Sequence, residues 1–314
     1  MLEGLVGRGL FVFSDPGGAK AILAYVKINQ LTDYLIVSDR QYDFFEDFGL
    51  EVLKASAEDA VAIADGFKPD YLLTGTSYTS RIELGFIKTI NQRKITTAAF
   101  IDHYTRFQDR FEMSGEMIYP HQIGVIDEKA RGIAHENSLT KHSQIVVTGN
   151  FYHQFLEEWT PAISKAELYD QLGLDIGKKL VVFAPEPLSN VENARGVFGF
   201  DEIETTSGLI DSLSTVSDGI NLVLTAHPNQ NITLLHPIIE GRLTLNNGRV
   251  GVNELIHYAD MVIGMFSNFL IEAIAMNRPV LRYFCKPVLH DPLSGSGVGK
   301  VVDDAILLSE IKSL

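Results

Sequence analysis

Two polar residues and one acid interrupt an otherwise apolar stretch near the end of the sequence, and together they could bind a phosphorylated ligand. Ser267 and Asn268 precede segment 269–276, which is typical of a buried helix. Unpaired backbone N–H groups and the helix dipole attract an anion such as phosphate at a helix N-terminus. Glu272 is the one acid of this helix, and a buried carboxylate needs a partner such as a ligand hydroxyl. The alternative is that Ser267 only caps the helix and Glu272 pairs with a backbone group or an arginine.

Two more polar residues, Glu186 and His227, follow predicted strands in the same half of the chain. Ligands of open α/β sheets bind outside the carboxyl ends of the strands, so we expect both side chains to converge with Ser267. The ordinary pKa of histidine, about 6.5, would let His227 hydrogen-bond a phosphate oxygen or protonate a leaving group. The alternative is a turn histidine whose ring is satisfied within the protein.

The first predicted strand, 10–13, leads into Asp15, Gly17 and Gly18, which precede a predicted helix at 19–28. Glycines at this place let a ligand approach the backbone. Their spacing is not that of the dinucleotide fingerprint G-x-G-x-x-G. This segment is therefore either a binding loop or a tight turn, and Asp15 is either a catalytic base or a turn residue.

A second polar group of the first half follows the predicted strand 95–101. Asp102 and His103 come directly after this strand, at the edge where α/β sheets bind ligands. Arg106 and Arg110 follow among aromatic residues and could bind an anion in this acidic protein. The alternative is that the two arginines pair with aspartates of the same segment.

Alternating strand and helix patterns predict an α/β fold built on doubly wound parallel sheets. In the second half, 249–252 is predicted to be a strand, whereas 192–199 and 295–299 are predicted to be loops. Polar segment 152–173 is expected to connect the halves. We therefore predict two Rossmann-like domains, 1–155 on the acceptor side and 156–314 on the donor side, facing a cleft.

Length and composition limit the classes of function. The 314 residues carry a formal net charge of -14, which argues against a nucleic-acid partner. The single cysteine, Cys285, and the lack of a signal peptide predict a cytoplasmic protein. No apolar run is long enough to span a bilayer, although peripheral membrane contact stays open. The sequence contains no H-E-x-x-H motif, no P-loop and no cysteine pair for zinc. We expect neither a bound metal nor a cofactor.

The pattern resembles the two-domain GT-B glycosyltransferase architecture, which also serves UDP-N-acetylglucosamine 2-epimerases and teichoic-acid glycerophosphate polymerases. The residues that carry the resemblance are His227-Pro228, the segment from Ala259 to Ala273 with Ser267 and Glu272, and Pro279-Val280. The turn here is Phe266-Ser267-Asn268 rather than a tandem serine. Glu272 stands alone where the epimerases have two glutamates.

The resemblance implies a role for each candidate residue. Ser267 and Asn268 would hold the donor phosphate, Glu272 would bind a ribose or sugar hydroxyl, and His227 would contact phosphate or the leaving group. Glu186, which follows a predicted strand of the same half, is also predicted to be donor-binding. Asp15 or Asp102 would deprotonate the acceptor hydroxyl. The other acceptor-side residues would be Gly17, Gly18, His103 and Arg106.

From these roles we predict a glycosyltransferase that needs no metal and moves a sugar from a nucleotide-activated donor to a sugar or glycolipid acceptor in surface polysaccharide synthesis. One alternative is a UDP-sugar 2-epimerase or hydrolase on the same fold. Another is a protein that binds nucleotide sugars without catalysis.

Overall fold

The computed structural model describes residues 2–227 and 230–314. The chain divides into two compact units, Met1–Phe155 and Leu156–Leu314. Each unit contains one parallel sheet flanked by helices, which confirms the predicted α/β fold with two Rossmann-like sheets. The predicted cleft between the units stays a prediction.

The first unit is built on a seven-stranded sheet and a short antiparallel hairpin. Its strands are β1 (Gly9–Phe13), β2 (Tyr34–Ser38), β3 (Leu53–Lys54), β4 (Tyr71–Thr74), β5 (Thr96–Ile101), β6 (Glu112–Met113), β7 (Glu116–Met117), β8 (Gln122–Val125) and β9 (Gln144–Val147). Its helices are α1 (Pro16–Ile28), α2 (Phe45–Phe48), α3 (Ala60–Phe67), α4 (Ile82–Gln92), α5 (Glu128–Glu136) and α6 (Phe151–Glu157), the last of which runs into the second unit.

The parallel strands lie in the order β3-β2-β1-β4-β5-β8-β9, and β6 pairs with β7. Strands of a parallel sheet are covered on both faces, which explains why Leu10–Phe13 is continuously apolar and fully buried. The strand order reverses between β1 and β4, and such a reversal opens a crevice for ligands at the carboxyl edge.

The second unit repeats this plan with six parallel strands. They are β10 (Lys179–Ala184), β11 (Ile220–Thr225), β12 (Thr244–Asn246), β13 (Met261–Gly264), β14 (Val280–Tyr283) and β15 (Lys300–Val302). The helices are α7 (Lys165–Leu172), α8 (Ala194–Phe198), α9 (Glu202–Leu213), α10 (His236–Ile239), α11 (Val252–Tyr258), α12 (Asn268–Ala275) and α13 (Asp304–Lys312). Strand order β12-β11-β10-β13-β14-β15 puts the reversal between β10 and β13.

Several predictions of secondary structure in the second unit were wrong. The predicted strand 249–252 is a loop that leads into α11, and the strand of this region is β12. The side-chain amide of Asn246 donates to the carbonyl of Val250 and accepts from its N–H, which closes a loop here instead. Segment 192–199, predicted to be a loop, contains α8. Helix α12, predicted to be a buried helix, is buried on one face only, since Ile274 is 40% exposed.

No helix within residues 2–227 and 230–314 is long and apolar enough to cross a membrane.

Candidate functional site

The carboxyl edge of the second sheet brings Glu186 and Ser267 together where the strand order reverses. Glu186 follows β10 and Ser267 follows β13, and these two strands pair directly. Burial raises the pKa of Glu186 to about 7, although hydrogen bonds from the Ser267 hydroxyl and the Phe266 N–H act in the opposite direction. Oε1 of Glu186 is buried and has no hydrogen-bond partner among the described residues. This edge therefore holds a carboxyl group that changes charge near neutral pH.

Ser267 is the N-cap of α12, as the sequence predicts. Its side chain accepts a hydrogen bond of 3.3 Å from the N–H of Phe269. Asn268 is the exposed first residue of the helix, and Glu272 lies further along it with only 7% of its surface exposed. The turn thus presents an N-terminus with a polar side chain on its outer side and a buried acid one turn further along.

A buried arginine, which no sequence pattern marks, hydrogen-bonds the backbone of this turn. Arg282, on β14, is 3% exposed and donates from Nε to the carbonyl of Met265 at 3.0 Å. Its guanidinium also pairs with Asp291. The backbone just before Phe266 and Ser267 is therefore anchored to the loop that follows β14.

His227 lies in the loop just after β11 and is half-buried, and burial lowers the pKa of its ring. Its imidazole is therefore neutral at pH 7, the form that can accept or donate a hydrogen bond. Pro228, the second residue of the predicted His-Pro pair, lies outside the described residues.

Glu202, which no local sequence pattern marks, links the loops after β10 and β11. This carboxylate is fully buried and accepts hydrogen bonds from the N–H and hydroxyl of Ser189. It also accepts from the side-chain amide of Gln230 at 3.1 Å. Its position in the first turn of α9 was visible in the sequence, but its partners lie in other loops and gave no local signal.

In the first unit, Asp102 packs against the start of α1. A β-carbon at Gly17 would lie 1.9 Å from Oδ2 of Asp102, and one at Gly18 would lie 3.2 Å from Cα of Gly75. Helix α1 begins at Pro16, so both glycines belong to its first turn and not to a separate loop. The structure therefore gives them a packing role, and their acceptor-side role stays a prediction.

The second carboxylate oxygen of Asp102 faces a buried arginine. Arg110 is 5% exposed, lies 3.4 Å from Oδ1 of Asp102, and donates to the carbonyl of Thr76 at 2.9 Å. Burial lowers the pKa of the neighbouring His103, with Asp102 opposing and Arg110 adding to this effect. Asp102, His103 and Arg110 therefore form one electrostatic group just past the end of β5.

The remaining candidates of the first unit are also paired. Asp15 accepts hydrogen bonds from Arg40 at 3.0 Å and from Thr79 at 2.8 Å. The guanidinium of Arg106 lies over the ring of Tyr78 at 4.6 Å, and Arg106 is 3.8 Å from Asp109. Pairing of the arginines with nearby aspartates was one of the two alternatives at the sequence level.

Replacing Gly17 by alanine tests the packing of Asp102. We expect Gly17→Ala to destabilise the protein by about 1–3 kcal/mol, because the new methyl group would push Asp102 away from Arg110. Gly66→Ala is the control, since a β-carbon there meets nothing within 4 Å. It removes a helical glycine from α3 and should stabilise by about 0.5–1 kcal/mol. Urea unfolding of both variants measures the difference, and equal values would contradict the assigned packing.

Comparison with solved structures shows the class of fold. The UDP-GlcNAc 2-epimerase of Methanocaldococcus jannaschii matches with a TM-score of 0.67 and 13% identity, over 98% of this chain and 92% of that chain. The UDP-GlcNAc 2-epimerase of Neisseria meningitidis bound to UDP-GlcNAc matches with a TM-score of 0.64 and 12% identity, over 98% and 91%. E. coli ADP-heptose lps heptosyltransferase II matches with a TM-score of 0.56 and 11% identity, over 98% of each chain.

The fold is therefore of the GT-B type, shared with sugar-nucleotide epimerases and glycosyltransferases, and the predicted resemblance is confirmed at that level. No protein-family model and no curated protein matches the sequence.

Proposed function

We propose that the protein is an enzyme that binds a nucleotide-activated sugar on its second unit and breaks the bond between the anomeric carbon and the diphosphate. The observation that carries this proposal is the contact of Glu186 with the Phe266-Ser267 turn at the reversal between β10 and β13. The carboxyl edge at such a reversal is where α/β sheets bind ligands. The N-terminus of α12 lies at this place, and the positive end of the helix dipole suits a diphosphate.

Each candidate residue of the second unit has a role in this proposal. Ser267 and Asn268 hold the diphosphate through the turn and the first helical N–H groups. Glu186, when protonated, donates a hydrogen bond from Oε1 to a phosphate oxygen. This oxygen has no hydrogen-bond partner among the described residues. Glu272 accepts from a sugar or ribose hydroxyl, and neutral His227 hydrogen-bonds the leaving group. A helix N-terminus and such donors stabilise the developing negative charge.

Glycosyl transfer to a hydroxyl acceptor is the first candidate reaction. It is supported by the single Glu272 where the epimerases have two glutamates. Asp15 or Asp102, at the carboxyl edge of the first sheet, would take the proton of the acceptor hydroxyl. Each of them lies beside an arginine, Arg40 or Arg110, which fixes the direction of the carboxylate. The acceptor we propose is a sugar or a glycolipid.

Epimerisation of the sugar at C2 is the second candidate. It is favoured by the structural comparisons, in which UDP-GlcNAc 2-epimerases match with TM-scores up to 0.67 and the two glycosyltransferases with 0.56 and 0.54. This reaction needs a base that removes the C2 proton and an acid that returns one to the other face.

Proton NMR in heavy water separates the two reactions. With UDP-GlcNAc alone, an epimerase replaces the C2 proton by deuterium and forms a second UDP-sugar. A transferase leaves C2 protonated and consumes the donor only when a hydroxyl acceptor is added. Deuterium at C2 would refute glycosyl transfer as the main reaction, and binding with no turnover across a broad acceptor set would refute catalysis.

Calorimetric titration with nucleotide sugars tests the site itself. We expect Glu272→Ala and Ser267→Ala to weaken binding about tenfold or more. The first removes a hydrogen bond between the carboxylate and a ligand hydroxyl, worth about 1.5–3 kcal/mol because one partner is charged. The second removes the side chain that caps α12 and orders the turn at the diphosphate. The control is Glu240→Ala, because Glu240 is exposed at the end of α10. If neither variant of α12 differed from this control, the donor site would be wrongly placed.

A further inference from the structure

Two arginines meet at an exposed tyrosine on the carboxyl edge of the first sheet. Tyr78 lies in the loop between β4 and α4 and is 42% exposed. The guanidinium of Arg106, in the loop after β5, lies 4.6 Å from the centre of the Tyr78 ring. Arg81 donates from Nη1 to the carbonyl of Tyr78 at 3.2 Å. Two positive charges therefore flank one aromatic side chain that a ligand can reach from solvent.

Neither arginine has a strong acidic partner. Arg106 lies 3.8 Å from Asp109, but the two side chains are 57% and 59% exposed, and an exposed pair of this kind stabilises little. Arg81 donates to backbone carbonyls, and no carboxylate among the described residues pairs with it. At the opposite end of α4, by contrast, Arg93 pairs with Asp65 at 2.7 Å. The lack of close acidic partners is therefore specific to the carboxyl edge.

The acids nearest to this place are held by other donors. Asp15 accepts hydrogen bonds from Arg40 and Thr79. Asp102 pairs with the buried guanidinium of Arg110. Although the chain has a formal net charge of -14, these carboxylates are turned away from the two arginines at the tyrosine. The positive charge of the arginines is therefore available to an anion from solvent.

The backbone of Arg106 is held in an unfavourable conformation. Its φ is +56°, in the left-handed region that costs free energy for any residue other than glycine. Arg110 fixes the preceding residue, because its Nε donates to the carbonyl of Thr105 at 3.3 Å and its Nη1 to the carbonyl of Thr76 at 2.9 Å. Conformations of this kind persist where the surrounding structure enforces them, and they cluster at binding sites. Here the conformation places a largely exposed guanidinium over the ring of Tyr78.

We propose that Tyr78, Arg81 and Arg106 bind an anionic group of the acceptor, either a phosphate or a carboxylate. A guanidinium that lies on an aromatic ring can still bind phosphate or carboxylate through paired hydrogen bonds. Thr79, next to Tyr78 in the chain, donates to the carboxylate of Asp15, which is one of the two candidate bases. The anionic group therefore lies beside the hydroxyl that loses its proton. The inference rests on the proposed function only in calling this ligand the acceptor.

Three sugars that differ only at C6 test the proposal, and no nucleotide is needed. Glucose carries a hydroxymethyl group at this place, glucose 6-phosphate carries its phosphate ester, and glucuronate carries a carboxylate. At neutral pH and constant ionic strength, we expect at least one of the two anions to raise the melting temperature saturably and glucose to leave it unchanged. The anion that gives the larger shift identifies the group that the site prefers.

Three variants locate the effect. Arg106→Gln removes the charge and the paired donors, so it should weaken binding of the preferred anion about tenfold or more in a calorimetric titration. Arg106→Lys keeps the charge without the planar fork and should bind with intermediate affinity. Arg93→Gln makes the same change of charge at the opposite end of α4 and should bind as the wild type. The side chain of Arg106 is exposed, so its variants keep the fold.

The absence of a saturable shift with either anion at millimolar concentration would overturn the proposal, as would an equal shift with glucose. Affinity that is unchanged in Arg106→Gln, or lowered equally in Arg93→Gln, would mean that the anion binds elsewhere and would also overturn it. Nucleotide-sugar binding is measured separately and concerns the second unit, so failure here is distinguishable from failure of the proposed function.

Discussion

Replacing Arg282 by methionine is expected to lower the free energy of unfolding of the second unit by about 3–5 kcal/mol. The change leaves the carboxylate of Asp291 buried without its cation, and it leaves the carbonyl of Met265 without the donor 3.0 Å away. Asp291 is 16% exposed and Arg282 only 3%, so water compensates little for the loss. Methionine fills a similar volume, which keeps a side chain over the ring of Phe284, where the Arg282 guanidinium lies 5.4 Å from the centroid.

The matched control is Arg242→Met. Arg242 pairs with Asp211, but the two side chains are 39% and 64% exposed, so the loss should be about 0–1 kcal/mol. Urea unfolding followed by tryptophan fluorescence measures both values. Trp159 is the single tryptophan and lies in the second unit, against His257, so it reports on that unit. Equal losses in the two variants would mean that the buried pair does not stabilise the turn.

The affinity for UDP-GlcNAc is expected to fall as the pH rises through 7, by up to tenfold for each pH unit above that value. The pKa of Glu186 is about 7, so the carboxyl is protonated below this pH and negatively charged above it. In the proposed site, the protonated form would donate a hydrogen bond to the diphosphate, whereas the ionised form would repel it. The diphosphate of a nucleotide sugar carries no terminal phosphate that titrates in this range, so the dependence belongs to the protein.

Glu186→Gln should remove this dependence, since the amide keeps a donor at every pH. We expect its affinity at pH 8.5 to exceed that of the wild type. Glu240→Gln, which changes an exposed acid of the same unit, should keep the wild-type profile. The measurement is calorimetric titration from pH 6 to 8.5. A flat profile in the wild type would show that Glu186 does not face the diphosphate.

The alternation of strands and helices was predictable because buried parallel strands are continuous apolar runs with polar residues at their ends. The strands before Ser14 and before Glu186 illustrate this, and each is fully or almost fully buried. The prediction of a strand at 249–252 was wrong. The valines at 250 and 252 favour a strand, but the side chain of Asn246 closes a loop there. Strand β15 was missed because it has three residues and follows a glycine-rich segment.

The candidate site was predictable only where its residues stand next to strand ends in the sequence. Glu186 and Ser267 were found in this way, and the structure places them side by side. Glu202 and Arg282 were not found, because what matters about them is their burial and their partners. The partners of Glu202 lie 13 and 28 positions away, and the carbonyl that Arg282 binds lies 17 positions away. Local sequence patterns carry no information on contacts of this kind.

The order of strands in the two sheets has a consequence for synthesis on the ribosome. All seven strands of the first sheet are complete when residue 147 has been made, so this sheet can form while the rest of the chain is still being translated, which takes roughly ten seconds or more. The second sheet is different, because its edge strand β15 is made last. Until then β14 presents an open edge, and an open edge can pair with another chain. Nascent chains that stall before residue 300 should therefore be the ones that aggregate.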